Sequence, residues 1–172
     1  MGWVTLSLRK QTLQADINEL NFQDIQLSRK IRGVQRHLSY ETSVFDSEKS
    51  ASLKEARTDY DSAKKGRPSR SEYTAENYNG DEDAAKEAYN QAYDEWKANY
   101  DEARENYLAD KEEIEDEYDD MKEMLEEEAK EQEDAYNDQK TQVETQRDAE
   151  NAELQALTDE IKSEIESSAI KF

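Results

Sequence analysis

The sequence predicts an all-α protein, an elongated coiled coil arranged as a helical hairpin with one very long acidic helix. Three observations carry this. A heptad ladder runs unslipped through the first forty residues, with Leu6, Lys10, Leu13, Ile17, Leu20, Asp24, Leu27, Ile31, Val34 and Leu38 at alternating steps of four and three. Apolar residues at that spacing form one continuous seam on a helix, which must be buried against another helix. From about Asp83 to Ser168 there is neither proline nor glycine, and the strong helix formers Ala, Glu, Lys, Gln and Met dominate. Leu, Ile, Val and Phe total only 25 of 172 residues, and the net charge is −21. That is too little apolar material for a compact globule of this length. Composition alone sits with disordered chains, but a disordered polar chain has no reason to hold heptad phase over five heptads.

The elements follow in order. The first helix is expected over about Thr5 to Tyr40, with Leu6, Leu13, Ile17, Leu20, Leu27, Ile31, Val34 and Leu38 as an oligomer seam. Lys10 and Asp24 occupy seam positions, where buried polar residues commonly set register. A second apolar line, Leu8, Ala15, Phe22 and Ile25, lies off the seam. A helix apolar on two faces touches two neighbours, so Leu8, Phe22 and Ile25 are expected to make a second-face contact. The segment Glu41 to Ser47 is rich in cap-forming residues and is expected to end this helix and start a short one, about Ser47 to Lys65. Its modest face is Leu53, Ala56, Tyr60 and Ala63.

Lys64 to Ser71 holds the only proline, Pro68, beside Gly66, and both residues end helices. Asn77 to Asp83 reads as a second turn, with Asp81 as N-cap of the next helix. The organisation expected is therefore 1–40, a heptad-patterned helix; 41–82, a short helix and polar turn region; and 83–172, the long acidic helix, about 130 Å if continuous. Within it a seven-residue repeat begins at Tyr93, Tyr100 and Tyr107. The apolar stripe comprises Tyr93, Trp96, Tyr100, Tyr107, Ile114, Tyr118, Met121, Leu125, Leu154, Leu157, Ile161 and Ile165, thinning to Ala129, Tyr136 and Val143 midway.

Charge is segregated. Residues 1–40 carry six basic against three acidic side chains, whereas residues 84–172 carry ten against thirty. The tyrosines therefore make a poor stacking platform for single-stranded nucleic acid, which requires a cationic groove. They read as packing in a wet helix interface with their hydroxyls at the rim. As a DNA mimic the acidic helix is dilute, about one net charge per ~6.5 Å against one per ~1.7 Å of duplex. Asn77 to Ala88 fails the EF-hand spacing, with glycine at position 4 and alanine at position 12. His37 is the only histidine and there is no cysteine, so no two-histidine metal site, triad or disulfide is expected. Arg29, Lys30, Arg32 and Arg36 suit the end of a helix and pairing with the acidic helix. No catalytic, cofactor-binding or metal-ligating constellation is present, and neither an enzyme nor a cofactor is expected.

The opening Trp3-Val4-x-Leu6-x-x-Arg9-Lys10, followed by the ladder to Leu38, resembles the starts of small helical virion-structure proteins of tailed bacteriophages. The resemblance covers about a quarter of the chain and implies a structural or assembly role in a particle. The composition equally suits a component of a bacterial secretion system or surface appendage. The function expected is a structural or assembly coiled coil acting by self-association, as a homo-oligomer or with other helical structural proteins. The alternative is an acidic regulatory binding protein, a DNA mimic or an assembly chaperone that masks a basic partner. Direct nucleic-acid binding and a membrane span are not expected, nor is a signal peptide, which points to a cytoplasmic or virion location.

Overall fold

A computed structural model of the chain describes residues 3–169. The fold is an all-α helical hairpin. Helix α1 runs Trp3–Lys65, two short 3₁₀ turns follow at Arg70–Glu72 and Ala75–Tyr78, and helix α2 runs Glu82–Ala169. No strand occurs among the described residues. Helix α2, with 88 residues, is the very long acidic helix that its composition predicts; positions 170–172 lie outside the described residues.

One expectation is corrected. The segment Glu41 to Ser47 does not break the helix, because α1 is continuous through it. Ser, Thr and Asp lower helix propensity by well under ~1 kcal/mol each, and the segment contains neither glycine nor proline. The inner spacing also persists beyond residue 40: Thr42, Phe45, Lys49, Ser52, Ala56, Tyr60 and Ala63 are half-buried. Gly33 likewise lies inside α1, where a Cβ would meet nothing within 4 Å.

The described chain divides into two compact units, one combining Met1–Tyr40 with Leu125–Phe172 and the other comprising Glu41–Met124. In the first, contacts pair rising numbers on α1 with falling numbers on α2, as an antiparallel pair requires. Arg9 meets Glu153 at 2.9 Å, Asp24 meets Lys140 at 3.0 Å, and the Lys30 ammonium lies over the Tyr136 ring. The core is aliphatic and narrow: Leu6, Leu13, Ile17, Leu20, Leu27 and Ala129 are buried, with Leu13 only 1% exposed.

The second unit is an antiparallel hairpin closed by the 66–81 connection. Gly66 ends α1, its amide donating to the carbonyls of Ser62 and Ala63, and Pro68 follows. Asn79 and Gly80 take left-handed backbone, with φ 55° and 88°. Asp81 then caps α2 as expected, its Oδ1 accepting from the amides of Asp83 and Ala84 at 3.0 Å each. Ala85 is the one buried residue of this unit's core; elsewhere half-buried aromatic rings fill the space between the helices.

Candidate interaction surface

The heptad seam of α1 faces α2 in the first unit. Leu6, Leu13, Ile17, Leu20 and Leu27 are 1–7% exposed within the single chain, and Ile31, Val34 and Leu38 are half-buried. The seam expected to join separate chains is thus closed by the chain's own second helix. The facing positions of α2 mix polar and apolar residues: Glu133, Lys140, Glu144, Arg147 and Glu150 are half-buried beside Tyr136, Val143, Leu154, Leu157 and Ile161. Asp24, whose side chain is 21% exposed, stands opposite two of these, Lys140 and Arg147, with Arg147 Nη1 at 3.9 Å. A hydrogen bond to Glu144 and, second, the Asp24 carboxylate paired at 3.0 Å hold the Lys140 ammonium above the ordinary lysine range. A seam carboxylate met by cations only where α2 is correctly aligned discriminates between registers.

Stripe residues from Tyr93 to Ile161 are half-buried as their spacing predicts, but Ile165 is exposed and Glu164 takes the inner position. Steps of three and four from Leu154 pass through Leu157, Ile161 and residue 164. Ile165, one residue past the inner position 164, is therefore turned about 100° away from it.

In the second unit the tyrosine stripe packs as a ladder. Tyr60 stacks on Tyr107 with centroids 5.4 Å apart and shares a 3.0 Å hydroxyl contact with Tyr100. That hydrogen bond, and secondarily burial, raises the Tyr100 phenol above its ordinary range. Trp96 lies against Tyr93 and Tyr100, and its indole N–H donates to the Ala63 carbonyl at 2.7 Å, satisfying an end of α1. Arg67 covers the faces of Tyr93 and Trp96, and Arg70 covers Tyr89. The rings are occupied by one another and by the chain's own arginines. Below them Phe45 meets Tyr118 edge-on, and Lys49 and Lys122 pair with Asp119 and Asp46. The Lys49 ammonium, donating at 2.7 Å, holds the Asp119 carboxyl below the ordinary carboxylate range. Tyr73 and Tyr78, which the stripe did not include, stack beside the connection, and Tyr73 also meets Tyr89 edge-on.

Among the described residues, the outer face of α1 carries a row of exposed large apolar side chains. Leu8, Phe22 and Ile25, expected to touch a second neighbour, are 60%, 56% and 48% exposed, and Val4 is 54% exposed. These residues lie about 200° around the helix from the buried seam, so α2 cannot cover both. Sequence reasoning missed Val4, although stepping back four from Leu8 would have found it. Along the same ladder beyond Ile25 come Arg29, Arg32 and Arg36, all exposed.

Among the described residues no group of three or more His, Asp or Glu side chains is placed to hold a metal ion, and no helix is long and apolar enough to cross a membrane. No protein-family model matches the chain, and comparison with curated proteins and with solved structures returned no match.

Proposed function

We propose that this chain is a structural or assembly element that acts by helix-mediated self-association within a larger particle or appendage. The observation that supports the reading is the outer face of α1: four large apolar side chains about half exposed on one line, on a chain with net charge −21. Exposed apolar residues scattered singly are ordinary, whereas a row at heptad spacing is what another helix covers. The resemblance of the N-terminal quarter to tailed-phage virion-structure proteins points to the same role, with the chain's copies or other helical structural proteins as partners.

Light scattering coupled to size exclusion tests it. At micromolar concentration the mass should be a fixed multiple of 20.1 kDa. A monodisperse, fully helical 20.1 kDa species would contradict the proposal. A 20.1 kDa species that is poorly helical alone and gains helicity on adding a basic partner would instead turn the reading to an acidic protein that masks such a partner.

A further inference from the structure

We infer that two copies of this chain pair through the outer face of α1 with those helices antiparallel, about a two-fold axis close to Ala15. This deepens the self-association reading and rests on it.

The outer line of α1 is Val4, Leu8, Gln11, Ala15, Asn18, Phe22 and Ile25, every member exposed, at alternating steps of four and three. Read from either end it has the same chemistry. Two large apolar residues are followed by a neutral amide, a small residue, a neutral amide and two large apolar residues. Reversing one helix against another about Ala15 sets Val4 opposite Ile25 of the second copy, Leu8 opposite Phe22, Gln11 opposite Asn18, and Ala15 opposite itself. A two-fold contact uses one patch on both molecules, which must therefore complement itself, and this line does. The small side chain falls at the axis, where it lets the backbones approach, and the amides face each other.

Charge supports the same partner and orientation. No residue of the line is charged in a chain of which 39% is Asp, Glu, Lys or Arg. The flanking Ser7, Gln14, Asn21 and Ser28 on one side are uncharged as well, and on the other side Glu19 is the single charge beside Thr5, Thr12 and Gln26, so an acidic or basic partner has little to recognise. Parallel alignment would carry the ladder on into Arg29, Arg32 and Arg36 and set each against its own copy, a repulsion that selects against that arrangement. Antiparallel alignment moves these arginines beyond the overlap, which spans about 32 Å from Val4 to Ile25.

The chain has no cysteine, so single introduced thiols report the alignment under a short bismaleimide. Ala15→Cys should cross-link to itself. A mixture of Leu8→Cys and Phe22→Cys should give the mixed product at least about tenfold faster than either variant alone gives its homodimer. Rapid homodimers of both Leu8→Cys and Phe22→Cys would mean parallel helices and overturn the inference. Light scattering on the same variants separates the two levels. A multimeric mass with no cross-link at any of these positions moves the contact to another surface and leaves self-association standing; a 20.1 kDa mass removes both. Leu8→Glu/Phe22→Glu should give a monomer with unchanged helicity, since neither side chain belongs to the core. A variant that remains multimeric would also overturn the inference.

Discussion

The two units solve the same packing problem, one antiparallel pair of helices, with different side chains. In the first, aliphatic residues of α1 are buried nearly completely against a stretch of α2 whose inner positions are about half polar, with an aspartate and two cations opposed across the seam. In the second, few residues are fully buried, and half-exposed rings stack, share hydroxyl contacts and cap a helix end through an indole N–H. Burial of aliphatic area contributes in proportion to area and is indifferent to direction. Aromatic and hydrogen-bonded contacts contribute less per contact but fix geometry. The first unit should therefore hold most of the stability, and the second should define the connection that returns the chain.

Breaking the comparison most strongly means truncating one core residue of each kind. Leu13→Ala or Leu20→Ala should cost about 2–5 kcal/mol, because a fully buried leucine leaves a cavity that two helices cannot readily close. Tyr107→Ala or Tyr118→Ala, removing half-exposed rings, should cost roughly 1–2 kcal/mol at ~25 cal/mol per Å². Thermal midpoints must be compared at one protein concentration, since any self-association adds a concentration-dependent term. Greater damage from the tyrosine changes would reverse the ranking of the units.

The glycines sharpen it next. Gly33→Ala, in the helix with open space around its Cβ, should raise stability by about 0.5–1 kcal/mol. Gly80→Ala, at φ 88°, should lower it by roughly 1–2 kcal/mol. Denaturant midpoints of the two variants should move in opposite directions, and a shared direction would mean the connection does not require left-handed backbone at residue 80.

The smallest effect is electrostatic. The Asp119 carboxyl lies below its ordinary range because Lys49 donates to it, so its folded pKa lies below its unfolded one. The pair's contribution is present above the unfolded carboxylate pKa, about 3.9, and is lost as pH falls through the lower folded value. Asp119 is largely exposed, so the contribution is slight. A carboxyl titration by NMR should place its midpoint below the ordinary value in the natural chain and return it in Lys49→Gln. An identical midpoint in both would remove the pair from the account.

Much of the architecture was legible in the spacing. The ladder from Leu6 to Leu38, the Tyr93, Tyr100 and Tyr107 repeat, the Gly66–Pro68 break and the Asp81 cap all correspond to elements of the structure, because each is a local signal with a local cause. Three features were not legible. The helix continues through 41–47 because the segment has neither glycine nor proline, and its inner spacing runs on through Thr42, Phe45, Lys49 and Ser52, which hold the phase with little apolar signature. The seam closes within the chain although a ladder alone does not say whose helix covers it; the covering stretch of α2 has Glu133, Lys140 and Arg147 where an apolar mate would be sought. Ile165 fell outside because successive steps of four drift off a seam whose mean step is 3.5. On the candidate surface, Leu8, Phe22 and Ile25 could be read as a second face, but their exposure follows only from the folded chain.

Hydrogen exchange along α1 tests the contrast between the units most directly, because one continuous helix supplies amides to both. Helical hydrogen bonding is alike throughout, so differences in protection report the packing beneath. Amides from about Leu13 to Leu27, over the aliphatic core, should exchange more slowly than those from Phe45 to Ala63, over the aromatic one. Equal protection, or slower exchange over the aromatic segment, would contradict the assignment of the stable core to the first unit.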